Sequence, residues 1–372
     1  MNRRNFIFGG LGLLGTAAVS GTFMYTRWAE FGRAPSGLRL QRIMASPHYV
    51  DGKFQNLVPV EIMERREGSS RFEMMWDFLF GDKKGIVPDT AMVSKKTDLK
   101  ALDRGEDIVI WMGHSTFYLQ LGGYRILIDP VFSSYAAPLP FLNGAFSGSN
   151  VYCAEDIPKL DILAVSHDHW DHLDYPTVMA LKHKINYVVC PLGVGEYFEE
   201  WGFSPDRICE EDWNGKIVTG PDLEIHILPS QHFSGRFLTR NPTLWCGMAF
   251  VTPRRKVYYT GDGGYGEHFK EIGKTFGGFD LVLAEDGQYN EAWHAIHMYP
   301  EETARAAVDV GAKQVIPAHG GKFALARHLW QEPYRRLAAS RGKSYDLVTP
   351  EIGETVRIGE PRESLSWWEG MT

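Results

Sequence analysis

The sequence predicts an α/β fold in which mixed β-sheets carry helices on their outer faces. Two observations lead there. The chain is punctuated by short apolar runs that each stop at a polar residue. These strand-like runs come first without helices between them and then alternate with helical stretches, the pattern of a layered mixed-sheet domain.

The 372 residues fall into three expected regions. Residues 1–29 read as an export signal or membrane anchor. Arg3 and Arg4 precede the 22 uncharged residues Asn5 to Thr26, and Arg27 follows. An apolar run behind a positive end is the form of a signal segment. Arg3-Arg4-Asn5-Phe6-Ile7 further resembles a twin-arginine address, and Ala18-Val19-Ser20 offers a cleavage site. The run is also long enough to span a bilayer as a helix. The expected location is therefore outside the cytoplasm, periplasmic or anchored to the inner membrane. Residues 30–100, with the charged Glu64-Arg65-Arg66-Glu67 and the aromatic run Met74 to Phe80, read as an extension packing on the main domain.

Residues 101–372 form the expected catalytic domain. Ile108 to Trp111 is a strand run, and Thr116 to Leu121, Gly122-Gly123 and Tyr124 to Asp129 form a hairpin candidate. Further strand runs are 162–165, 187–190, 224–228, 248–251, 257–260, 281–284 and 314–317. Helices are expected around Tyr175 to His183 and Pro300 to Val310. In the second, Pro300 lacks an N–H that would be unpaired there anyway, and Glu301 and Glu302 suit the positive helix end.

Hydrophobic residues at 44% and charged residues at 23% allow a sizeable core, and the net charge of −7 argues against nucleic acid as the main partner. Cys153, Cys190, Cys209 and Cys246 include no C-x-x-C pair, so a sulphur-ligated zinc site is unsupported.

The chemistry concentrates in His167-Asp168-His169-Trp170-Asp171-His172, directly after the strand run ending at Val165. Neutral imidazole and carboxylate are preferred zinc ligands. His167 and His169 alternate along an extended chain and can face one side, while Asp171 and His172 follow a turn and can reach a neighbouring position. One hexapeptide can thus serve two adjacent metal positions. His232, Asp262 and His319 each follow a strand run by a few residues, where a shared sheet edge can gather them. Gly261-Asp262-Gly263-Gly264-Tyr265-Gly266 matches a dinucleotide-binding pattern with Glu285 downstream. It comes late in the chain, however, and the Asp262 carboxylate would repel a pyrophosphate, so the metal reading is preferred.

The order His-x-His-x-Asp-His, lone His, lone Asp, last His resembles the metallo-β-lactamase superfamily. Gly113-His114-Ser115-Thr116, Ile128-Asp129-Pro130, Pro229-Ser230-Gln231-His232, Gly264-Tyr265, Glu271-Ile272-Gly273, His297 with Pro300-Glu301-Glu302, and Phe323-Ala324-Leu325-Ala326 are similar to its branch containing N-acylphosphatidylethanolamine-hydrolysing phospholipase D. Asp168, Trp170, Gly263 and the acidic segment Ala284 to Tyr289 depart from that branch.

The resemblance implies an αββα sandwich of two mixed sheets with a dinuclear site at one edge. It implies His167, His169 and His232 around one zinc, Asp171, His172 and His319 around the other, and Asp262 between them, with iron or manganese as alternative metals. The implied activity is hydrolysis of phosphodiesters such as N-acylphosphatidylethanolamine-type phospholipids by a metal-bridging hydroxide, with a lactonase or amidase on the same site as the alternative. The implied partner is a small-molecule or lipid substrate, with a membrane surface allowed. Asp262 and Asp171 are expected in the catalytic machinery, with His297 steadying charge or protonating the leaving group. His114 and Asp129 are expected to orient ligands. His268, Tyr289 and His294 are weaker pocket candidates.

Overall fold

The computed structural model describes residues 29–63, 84–139, 142–236, 239–362 and 365–371. The export-type segment and the aromatic run from Met74 lie outside them. Among the described residues no helix is long and apolar enough to cross a membrane.

The extension contributes helix α1 (Gly37–Ala45) and a small hairpin of β1 (Tyr49–Val50) and β2 (Lys53–Phe54). It is joined to the main body by apolar and ionic contacts. Ile43 and Phe54 enter the main core, and Arg39 pairs with the buried carboxylates of Glu196 and Glu210.

Two seven-stranded sheets make up the body. The first contains β3 (Ile108–Trp111), β4 (Phe117–Leu121), β5 (Tyr124–Ile128), β6 (Leu160–Ala164), β7 (Ile185–Pro191) and β8 (Ile208–Glu211), with β16 (Thr355–Arg357) at its far edge. The second runs from β9 (Lys216–Gly220) through β10 (Leu223–Leu228), β11 (Gly247–Val251), β12 (Lys256–Tyr259), β13 (Phe279–Glu285) and β14 (Ala312–Ala318) to β15 (Asp346–Leu347). Each sheet is mixed. Strands β3, β4 and β5 pair antiparallel and β5 to β8 parallel, while β9 to β12 pair antiparallel and β12 to β15 parallel.

Alternation along the strands explains the four layers. Leu119, Ile126 and Ile162 of the first sheet meet Ile225, Phe250, Val257 and Leu281 of the second in one core. The residues between them face outward. Tyr118, Leu127 and Leu163 pack on α2 (Tyr175–Leu181) and α3 (Gly195–Glu200) through Val178, Leu181 and Phe198. On the other side Tyr258, Val282 and Val315 pack on α4 (His268–Phe276), α5 (Pro300–Asp309) and α6 (Glu332–Ser340) through Ile272, Ala307 and Leu337. Strands covered on both faces read as unbroken apolar runs, which is why β3, β4 and β13 are buried along their whole lengths. This is the expected αββα sandwich.

Strand direction then positions the site. In the first sheet β3, β5 and β6 run one way; in the second, β10, β12, β13 and β14 do. Their carboxyl ends share one rim, and His114, Asp129, His167, His232, Asp262, Glu285 and His319 all lie there.

Candidate metal centre

The hexapeptide leaves β6, turns back on itself with the His172 and Leu173 amides donating to the His169 carbonyl, and delivers its side chains to the rim. Two groups result. His167 Nε2 lies 2.9 Å and His232 Nε2 3.2 Å from His169 Nδ1. Beside them, Asp171 Oδ2 lies 2.9 Å from His114 Nε2 and 3.3 Å from His172 Nε2, with His319 Nδ1 3.9 Å away. Asp262 stands between the groups: its Oδ2 is 3.0 Å from His172 Nε2, 3.2 Å from His319 Nε2 and 3.9 Å from His167 Nε2.

A cation fits this arrangement on three counts. His172 Nε2 and His319 Nε2 lie close to Asp262 yet make no hydrogen bond, and both are buried, as is the unpartnered Asp262 Oδ1. Leaving such buried polar atoms unmet is costly, and one cation among them would meet them together. A tetrahedral ion with nitrogens at about 2.0–2.1 Å would hold them about 3.3 Å apart, close to the separations seen. The protonation states agree as well. Burial holds His167, His232 and His319 well below the ordinary imidazole value and His169 at about 4, so these rings are neutral and ready to ligate. Burial also raises Asp262, to about 7, although His172 pulls it down. Burial disfavours a charged His172, but Asp262, Asp171 and Asp129 override it and hold this ring well above its ordinary value. The negative charge that raises His172 is the charge a cation would neutralise.

Neighbouring groups fix the rings of His167, His172, His232 and His319. Asp129 Oδ2 accepts from His172 Nδ1 at 2.7 Å and from the Tyr259 hydroxyl at 2.7 Å. The same carboxylate accepts from Ser166 Oγ, which itself lies 2.9 Å from His167 Nδ1. One buried carboxylate thereby sets the orientation of two histidines and leaves their Nε2 atoms facing the centre. Ser115 Oγ is 3.1 Å from His319 Nδ1, and the Ile296 carbonyl is 3.2 Å from His232 Nδ1. The His114 amide donates to the Gly320 carbonyl and the His319 amide to the His114 carbonyl, tying the two sheets together at the rim. His114, Asp129 and His319 all adopt positive φ (53°, 41° and 63°), a conformation that side chains rarely take and that recurs at functional sites.

His297 stacks on His319 with ring centroids 5.2 Å apart and planes 8° from parallel. Its Nδ1 makes a short hydrogen bond with Glu285 Oε1, and Glu285 Oε2 accepts from the Gly263 amide at 2.9 Å. Burial pushes the Glu285 carboxyl well above its ordinary value. The glycines after Asp262 serve close packing here: a Cβ on Gly263 would collide with Ser230 Oγ, and one on Gly264 with the Ala295 carbonyl. Tyr289 bonds to Glu332, His268 packs on Phe269 and His294 stacks on Tyr299. None of the three touches the ligand cluster in these contacts.

Residues 124–320 match the model of the β-lactamase superfamily domain, more than half of the chain. The chain belongs to the metallo-β-lactamase superfamily. It is a metal-dependent hydrolase by that membership. An uncharacterized protein of Mycobacterium tuberculosis is 38% identical over 329 residues, 87% of either chain. The N-acyl-phosphatidylethanolamine-hydrolyzing phospholipase D 1 of Caenorhabditis elegans is 31% identical over 263 residues, 66% of this chain and 74% of the relative. An isothiocyanate hydrolase from Delia radicum gut bacteria shares the fold, with a TM-score of 0.54 at 19% identity over 68% of this chain and 98% of its own.

The structure also assembles residues that sequence reasoning left unassigned. Glu285 ends the apolar run of β13, and that abrupt carboxylate was the available signal for it. Ser115 and Ser166 sit beside recognised histidines. Arg236 had no signal. Its guanidinium lies 4.2 Å above the Trp170 ring and donates to the carbonyls of Asp168, Leu173 and Glu30. The Asp168 carboxylate accepts from the Gly235 amide at 2.7 Å, the Tyr197 hydroxyl at 3.0 Å and Thr243 Oγ1 at 3.1 Å. The departures at Asp168 and Trp170 thus belong to a clamp around the hexapeptide.

Proposed function

We propose that this hydrolase cleaves phosphodiesters, N-acylphosphatidylethanolamine-type phospholipids in particular, with two zinc ions. The observation that carries the reading is the pair of buried ligand groups meeting at Asp262; the similarity to the nematode phospholipase supports the substrate class. His167, His169 and His232 would hold one ion, Asp171, His172 and His319 the other, and Asp262 both. When bound, the ions supply a water that ionises near neutral pH and positive charge for the phosphoryl oxygens.

The chain's own residues do the remaining work. Asp129, through His172 and Ser166, keeps the ligand nitrogens pointed inward. His297 has its Nδ1 committed to Glu285, which leaves Nε2 to give a proton to the departing alkoxide oxygen; the proton shared with Glu285 then stays on Nδ1. The oxygen of water adds to phosphorus, the bond to the N-acylethanolamine oxygen breaks, phosphatidate and N-acylethanolamine leave, and the proton given up by the water returns through solvent to restore His297 and Glu285.

The test is turnover of N-acylphosphatidylethanolamine and a nitrophenyl phosphodiester by purified protein, beside lactones and amides, with metal content measured on the same sample. Phosphodiester turnover with two zinc ions per chain is expected, and Asp262→Ala should abolish it while leaving the fold intact. Lactone or amide turnover without phosphodiester turnover would refute the substrate assignment. Export follows from the amino-terminal arginines and apolar run, and fractionation of cells should find the protein outside the cytoplasm.

A further inference from the structure

The extension reaches the ligand cluster directly. Asn56 sits two residues beyond β2, and its side-chain amide spans the backbone of His232: Nδ2 donates to the His232 carbonyl at 2.8 Å, and the His232 amide donates to Oδ1 at 3.0 Å. A backbone N–H can only donate and a carbonyl only accept, so the orientation of the amide is fixed by its partners. Asn56 therefore mimics a neighbouring strand just where His232 has left β10 and has none.

The arrangement is held from both sides. The Phe54 amide donates to the Asn241 carbonyl at 3.0 Å, and Asn241 Nδ2 returns a bond to the Phe54 carbonyl at 2.9 Å. Phe54 itself is buried in the inter-sheet core. The loop carrying His232 is thus stapled to the extension at Phe54 and at Asn56. With the ring Nδ1 taken by the Ile296 carbonyl, backbone and ring of His232 are both fixed, and Nε2 is left one direction.

We propose that Asn56 is a positioning residue for His232, so that the extension forms part of the metal centre rather than a separate appendage. The inference rests on His232 being a metal ligand, as proposed above. Asn56 touches neither substrate nor metal and acts through the backbone of the ligand. Ala at this position leaves both His232 backbone groups unmet. Asp keeps the acceptor but sets its second oxygen against the His232 carbonyl, so it should fail nearly as badly despite its matching size.

The test is zinc affinity by chelator competition on full-length wild type, Asn56→Ala and Asn56→Asp, with thermal melting of the metal-free forms alongside. Removing a group that orients a ligand typically costs about 10- to 100-fold in metal affinity. The expected result is a loss of that size for one of two bound zinc ions in both variants, the other ion keeping its affinity, with metal-free melting little changed. Affinities within twofold of wild type in the isosteric Asn56→Asp would overturn the proposal, as would equal weakening of both ions. Wild type that binds no zinc would instead bring down the ligand reading on which it stands.

Discussion

Arg236→Met tests whether the hexapeptide is held from outside the metal centre. The guanidinium is buried, and three carbonyls depend on it; those of Asp168 and Leu173 belong to residues with no exposed surface. Methionine keeps much of the packing over Trp170 but donates nothing. Each orphaned buried carbonyl costs about 1–3 kcal/mol, and a desolvated cation–π contact about 2 kcal/mol. Against this, the substitution relieves the burial of a charge, the effect that lowers the pKa of Arg236. The net cost is then about 3–5 kcal/mol, the range for breaking a buried charged pair from one side. For a body of this size that lowers the melting temperature on the order of 10 °C. With the Asp168 and Leu173 carbonyls released, the loop between His167 and His172 should also relax, so metal content should fall with stability. The assay is thermal unfolding with and without saturating zinc, plus metal analysis. Melting within about 2 °C of wild type with full metal loading would show that the clamp does not hold the loop.

If His297 passes on a proton as proposed, Glu285→Gln keeps an acceptor for the Gly263 amide but cannot carry the negative charge left behind; kcat should drop by about 10²-fold or more with KM little changed, and an unchanged pH–rate profile would refute the pairing. Burial lowers Lys322 to about 7. Between that value and the unfolded value near 10.4, the unfolded chain binds the extra proton, so this group makes stability rise with pH across the window and level off above it. Lys322→Met should accordingly be more stable than wild type at pH 7, less the bond from Nζ to the Val131 carbonyl, and the gap should close toward pH 10. A pH-independent gap in paired melting curves would remove the buried lysine as its cause. Stripping metal with a chelator should lower the melting temperature, since a ligand at about 1,000 times its Kd contributes about 4 kcal/mol; melting unaffected by chelation and by added zinc would speak against the centre.

Legibility of the fold follows burial. The strands covered by both layers, β3 to β7 and β10 to β14, are apolar over several residues, and each was predicted to within a few residues. The missed strands are peripheral or edge elements. Lys216–Gly220 carries exposed and half-buried residues beside a single buried one, and Asp346–Leu347 is two residues long. Such strands owe their conformation to a neighbour supplied by the fold, and β15 pairs only because β14 presents Gln314 and Val315 to it. Helix α2 stops at Leu181 and passes into a 3₁₀ turn over Lys182–Lys184, two residues short of the predicted end. All four cysteines are free.

The candidate site divides along a similar line. A ligand announces itself when its residue type is chemically unusual for its place, as with five titratable side chains in six positions behind a buried strand. Asn56 and Arg236 are ordinary residues whose roles exist only through partners far along the chain: His232 is 176 residues from Asn56, and Leu173 is 63 from Arg236. Both bind backbone, and a backbone carbonyl or amide looks the same behind every residue type, so the partner leaves no mark at its own position either. Glu285 lies between these cases. A carboxylate closing a strand as apolar as Leu281-Val282-Leu283-Ala284 must meet a donor or take a proton, and the structure supplies His297 and the Gly263 amide. The parts of this centre that sequence can disclose are therefore those that bear charge against expectation. The parts that hold the ligands still, including the whole contribution of the extension, become visible only once the strands have brought distant backbone within reach.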